Sequence, residues 1–209
     1  MVQVTRFDVA DCVFPTDNEW GIPLLDATLQ GQELVLPLAR WGDRSRKARM
    51  PGTFHFYVDD YKFSALWKNP APVVASGCAA VFEPSFSTNE QMPRAVGLWR
   101  IYMKRWLSRF WQQHGVRVFV DLSVDPKFDD LNLLGVPAGW RAYCTQGRSS
   151  ELDLVGHHWE IACQHARDSR PILIVYGGGQ EVEALCREQG LIWIPEHMHT
   201  VNGRRQKRG

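Results

Sequence analysis

Apolar and polar positions along this 209-residue chain change their period several times, and each change marks an element. Residues 53–58 and 78–82 form short runs of aromatic, β-branched and small side chains, which predict buried strands. The same signature recurs over 116–122, 140–145, 171–176 and 191–194. Helical spacing lies between these runs. Val96, Trp99, Met103, Trp106 and Phe110 recur at intervals of three and four, predicting a helix over 93–114 that stops at Gly115. Leu152, Val155, Trp159, Ala162 and Ala166 do the same, and a further helix over 180–189 is closed by Gly190. A short helix through Phe63, Leu66 and Trp67 ends before Pro70. The start is irregular, with weak strand candidates at 2–7 and 33–38 among Pro15, Gly21, Pro23 and Gly42.

Apolar strands alternating with amphipathic helices predict an α/β fold with a mainly parallel sheet and flanking helices. Two forms fit: an open doubly wound sheet or a partial β/α barrel, the chain being short for a full eightfold barrel of about 250 residues. The expected organisation is a single α/β domain over 1–203, with an irregular N-terminal segment 1–52 and a basic, disordered tail at 204–209. In either form, functional groups collect at the carboxyl ends of the strands.

Composition narrows the class. Hydrophobic residues make up 44% and charged residues 22%, a globular balance that excludes a disordered or fibrous chain. No apolar run approaches the roughly 18 to 20 residues of a membrane-spanning helix, so the expectation is a cytoplasmic protein with no membrane span. Five scattered cysteines without a CxxC pair indicate neither a disulfide framework nor a zinc knuckle.

The net charge of +1 conceals segregation. Arg40, Arg44, Arg46, Lys47 and Arg49 share one stretch with a single acid, Asp43; Arg94, Arg100, Lys104, Arg105 and Arg109 share the predicted helix with none; and Arg204, Arg205, Lys207 and Arg208 share the tail with none. Such a layout predicts a nucleic-acid-facing surface, provided that folding brings the stretches together. The competing reading of the helix is an outer face whose bases pair with acids of neighbouring elements.

Several motifs stand in a characteristic order: Gly21-Ile22-Pro23, His55-Phe56-Tyr57-Val58-Asp59-Asp60, Leu66-Trp67 with Pro70, Glu83-Pro84-Ser85-Phe86-Ser87, Met92-Pro93, Gly115-Val116, Leu134-Gly135-Val136-Pro137 and Tyr176-Gly177. On these, roughly residues 21–178 resemble the family called domain of unknown function 4417. That resemblance implies a mobile-element setting in phages, plasmids and bacterial genomes, and supplies no reaction. It also implies an aspartate where this chain has Ser85.

The function expected from these features is a nucleic-acid-binding protein of a mobile genetic element, in replication or DNA processing. A metal-dependent phosphodiester hydrolase is the first alternative, and a factor acting on a host or phage protein is the second. For the hydrolase, Asp59, Asp60, Glu83, Asp121 and Asp125 fall at strand ends, where they could meet His197 and His199. Such oxygen and imidazole ligands, Asp121 among them, suit magnesium, manganese or zinc. His197-Met198-His199 also has the His-apolar-His form of the nucleases that open rolling-circle replication, for which Tyr102 is the natural attacking group. Gly177-Gly178-Gly179 lacks the lysine of a P-loop and reads as a strand-to-helix turn. His157, His158, Glu160 and His165 share a helix without the His-Glu-x-x-His spacing, and no Ser or Cys is matched to a base.

Overall fold

A computed structural model describes residues 13–43, 49–167 and 169–196. Seven strands form one sheet: β1 (Leu38–Arg40), β2 (Thr53–His55), β3 (Ala80–Phe82), β4 (Arg117–Asp121), β5 (Ala142–Gln146), β6 (Ile172–Tyr176) and β7 (Ile192–Ile194). Every neighbouring pair is parallel, and the spatial order is the order in the chain. A doubly wound sheet would reverse direction at a switch point. This one never does, so the partial barrel is the form adopted.

The connections carry α1 (Ala71–Ala75), α2 (Arg94–Gln112), α3 (Asp129–Asn132), α4 (Leu152–Ala166) and α5 (Gly179–Gln189). One pair of rings measures the curl. His55 of β2 and Tyr176 of β6 have centroids 4.2 Å apart although three strands lie between them. In a flat sheet four strand spacings would separate them by about 19 Å. The sheet is therefore rolled into a half-barrel, with His55, Tyr57, Phe82 and Tyr176 meeting across its concave side.

Several boundaries move from the expected ones for physical reasons. The strand expected at 33–38 forms at Leu38–Arg40, because Pro37 has no N–H and only the residues after it pair with Thr53, Phe54 and His55. The strand expected over 53–58 ends at His55, since the Val58 N–H turns back to the Phe56 carbonyl at 2.8 Å. The candidate strand at 2–7 lies outside the described residues.

The irregular N-terminal stretch is fastened to α2. Gln112, buried on that helix, accepts the Asp26 N–H at 2.8 Å and donates to the carbonyl oxygens of Asp26 and Leu29 at 2.9 and 3.3 Å. Further on, Gly31 donates to the Val118 carbonyl and lies against the ring of Phe119, where a Cβ would have no room. Aromatic rings fill much of the core, Phe56 stacking on Trp111 at 5.5 Å and 7°. Ile22, Ile101, Val124, Phe128 and Leu131 form a second, smaller cluster.

Candidate functional site: a polar chain ending in a rim cleft

Helix α2 is buried along most of its length from Ile101 to Gln112, and its adjacent bases Lys104 and Arg105 point into the protein. They meet Glu83, just after β3, and Asp121, the last residue of β4, all four being buried. Arg105 Nη1 donates to Glu83 Oε1 at 2.5 Å, while Nη2 and Nε donate to the carbonyl oxygens of Asn132 and Leu134 at 2.5 and 3.1 Å. Lys104 Nζ donates to the Asp121 carbonyl oxygen at 2.8 Å and stands 3.7 Å from Asp121 Oδ2 and 3.9 Å from Glu83 Oε2. Two charges of each sign cancel, which is how such a group persists away from water. Burial pushes the Lys104 ammonium below its ordinary pKa, and Asp121 and Glu83 oppose that fall.

From this group a hydrogen-bonded chain runs outward across the strand ends. Glu83 Oε2 accepts the Asp121 N–H at 3.2 Å. Asp121 Oδ1 accepts the Tyr57 hydroxyl at 3.0 Å and the Ser123 N–H at 3.1 Å, burial holding the Tyr57 phenol protonated. Ser123 Oγ accepts the Gln146 N–H at 2.7 Å and lies 3.0 Å from Thr145 Oγ1, which lies 2.8 Å from His158 Nδ1 on α4. His158 is 3% exposed, and its Nε2 has no hydrogen-bond partner among the described residues. Burial, helped by His157 and Lys104, pushes its pKa down to about 4, so the ring is neutral at neutral pH.

Tyr57, Ser123 and His158 line a cleft of about 480 Å³ at the carboxyl rim. Segments after β2, β3, β4 and β5 form its walls, bringing in Asp59, Ser85, Thr88, Asp125, Gln146 and Arg148. Parallel β/α folds place their sites at this end, because there the loops leave the strands and converge.

The residues singled out in the sequence are dispersed. Asp59 reaches the cleft wall; Glu83 and Asp121 meet each other but are occupied by Arg105 and Lys104. Among the described residues no three His, Cys, Asp or Glu side chains are grouped to hold a metal ion. Tyr102 lies in an aromatic group, stacked on Trp99 at 5.6 Å, and not on the cleft wall. The expected exposed basic face is corrected for Lys104 and Arg105, which are enclosed. Leu98, Ile101 and Trp111 share their arc of the helix, and those apolar neighbours were the sign that the arc faces protein.

The other bases are exposed to differing degrees. Arg94 pairs with Asp130; Arg100 pairs with Asp60 at 3.5 Å and lies over Phe86; Arg109 lies over Phe14; Arg40 pairs with Asp43 at 2.8 Å. Arg49 is exposed. Arg44, Arg46, Lys47, His197, His199, Arg204 and Arg205 lie outside the described residues.

Sequence reasoning missed Ser123, Thr145 and His158 as a unit, because each comes from a different element. His158 did leave a trace: it sits three residues after Val155 and four before Ala162, so a polar ring occupies the apolar stripe of α4.

Comparison with known proteins places the chain among phage-encoded relatives. It is 32% identical over 161 residues to the Gene 1 protein of Mycobacterium phage D29, an alignment covering 72% of this chain and 58% of that protein, so the chain spans less than two thirds of that relative. It is 29% identical over 185 residues to the Gene 1 protein of Mycobacterium phage L5, covering 84% of this chain and 80% of that one. No solved structure matches. The family described as Domain of unknown function (DUF4417) matches residues 14–152, from before β1 to the start of α4, and the chain belongs to it.

Proposed function

We propose that this protein of a phage-associated family binds a small polar molecule in the cleft at its carboxyl rim. One observation carries the reading: a chain of buried and half-buried hydrogen bonds ends at His158, a residue of the cleft lining whose Nε2 is left without a partner among the described residues. A buried polar atom left unpaired costs about 1–3 kcal/mol, and a ligand that satisfies it recovers that cost. The test is a panel of small polar molecules screened by thermal shift against the full chain and against Leu154→Trp, which fills the cleft. Saturable stabilisation that the substitution abolishes supports the reading; hits indifferent to it overturn the reading.

A second reading, nucleic-acid binding, rests on the acid-poor bases at 44–49 and the acid-free bases at 204–208. It draws nothing from Lys104 or Arg105. Affinity for single- and double-stranded DNA measured against salt tests it, since neutralised phosphates give a linear fall of log affinity with log salt. The hydrolase alternative would require Glu83 and Asp121 to exchange Arg105 and Lys104 for a cation.

A further inference from the structure

We infer that the cleft recognises the vicinal hydroxyls of an uncharged sugar ring, whether of a free sugar or of a nucleoside. This inference rests on the cleft reading above and adds the chemistry of the ligand.

The lining holds three carboxylates, Asp59, Asp125 and Glu151, against one guanidinium, Arg148. That guanidinium is already bound, its Nη1 lying 3.1 Å from Glu151 Oε2, and His158 adds no charge because its ring is neutral. A phosphate entering here meets, among the described lining residues, three carboxylates and a single cation, Arg148, whose charge Glu151 already balances. Carboxylates instead accept well from paired hydroxyls, as acidic residues do with ribose in dinucleotide sites. Asp59 has acceptor capacity to spare: its carboxylate is 66% exposed, and Lys62 stands 3.6 Å away, beyond hydrogen-bond length.

The Ser123–Thr145–His158 chain can run in either direction. With Nδ1 accepting from Thr145, the proton sits on Nε2, and the ring can only donate to a ligand. With Nδ1 donating, Thr145 turns its proton to Ser123, and Ser123, already accepting from Gln146, turns its own outward while Nε2 accepts. The cleft therefore offers either setting from the same atoms. A hydroxyl both donates and accepts and so satisfies both, whereas a phosphate oxygen only accepts and an ammonium only donates. Thr88 adds a hydroxyl of the same kind, its Oγ1 accepting the Asp125 N–H at 2.8 Å and its proton left to give. A volume of about 480 Å³ lies within the usual range for small-ligand sites of roughly 300–1,000 Å³.

The experiment measures binding to the full chain by calorimetry for D-ribose, D-glucose, adenosine, 2′,3′-dideoxyadenosine, adenosine 5′-monophosphate and spermidine. Adenosine or a free sugar is expected to bind saturably, and the choice between those arms identifies the source of the ring. The monophosphate and spermidine are expected to bind at least ten-fold more weakly than that ligand. If adenosine is the ligand, the dideoxynucleoside should also lose at least ten-fold. Ser123→Ala should lower affinity about ten-fold. The double variant Asp59→Asn/Glu151→Gln should narrow the gap to the monophosphate, because it removes two carboxylates and frees Arg148. Tighter binding of the monophosphate or spermidine, equal binding of the dideoxynucleoside and adenosine, or no binding by any probe overturns the inference. The cleft reading falls separately, by the Leu154→Trp comparison.

Discussion

The ammonium of Lys104 donates to the main-chain carbonyl of Asp121 at 2.8 Å, so a base in the middle of α2 braces the end of β4. The same aspartate holds Tyr57 and the Ser123 N–H, which ties the brace to two residues that line the cleft.

Removing one member of the buried charge group leaves its opposite uncompensated, at a typical loss of 3–5 kcal/mol. Lys104→Met should therefore lower unfolding stability in urea by about that amount. The double variant Lys104→Met/Asp121→Asn restores the charge balance and should recover part of the loss. Equal stability of Lys104→Met and the unmodified protein would show that the brace does not matter.

The burial of His158 has a definite pH signature. Its pKa drops from 6.5 in the unfolded chain to about 4 in the fold, so between those values the unfolded state binds the proton and the folded state does not. Stability is then unaffected by this group above about pH 6.5, falls as pH drops towards 4, and loses no more from it below that. The full effect is about 3 kcal/mol. His158→Gln should flatten the stability profile between pH 6.5 and 4 relative to the unmodified protein; parallel profiles would refute the assignment. His165, also lowered by burial, contributes a slope of the same sign in both proteins.

Gly97→Ala sets two effects against each other. Helix propensity alone would favour alanine by about 1 kcal/mol. A Cβ at this position falls on the ring of Phe128, which is itself fully buried and packed in the smaller core cluster. Overpacking of this kind costs about 1–3 kcal/mol, so the net expectation is a loss near 1 kcal/mol in urea unfolding. A gain in stability would mean that the ring yields freely.

Gln112→Ala removes the clamp on the N-terminal segment. The Asp26 N–H and two carbonyl oxygens lose their partner, for an expected loss of about 1–3 kcal/mol. Hydrogen exchange should show the amides of Asp26 and Leu29 exchanging faster, while those of β5 and β6 keep their protection. Unchanged exchange at Asp26 would place the fastening elsewhere.

Periodicity made the sheet and its principal helices legible. The helix expected over 152–166 occurs as Leu152–Ala166 because its stripe is long and apolar, whereas the order of the strands, which the apolar runs left open, came only with the structure. The short helix through Phe63, Leu66 and Trp67 occurs as a 3-10 helix at Ser64–Trp67, but two other short elements were not legible: α1 is five residues with a proline at its start, and α3 is four. The site was harder still. Charge counting found Lys104 and Arg105 but not their burial, since Glu83 and Asp121 lie 22 and 17 residues away along the chain. Ser123, Thr145 and His158 are ordinary residues in ordinary elements until the pairing of β4 with β5 sets Ser123 beside Thr145 and α4 brings His158 to Thr145.

Among the described residues β1 and β7 have a strand on one side only, and that leaves two seams at which another chain could dock backbone to backbone. Here both seams are brief: β1 and β7 have three residues each, as do β2 and β3, against five in β4, β5 and β6. So short a run presents few free main-chain groups to a stranger, which is one way natural sheets discourage edge-to-edge aggregation. Lengthening either margin with β-branched residues would turn a guarded border into an adhesive one.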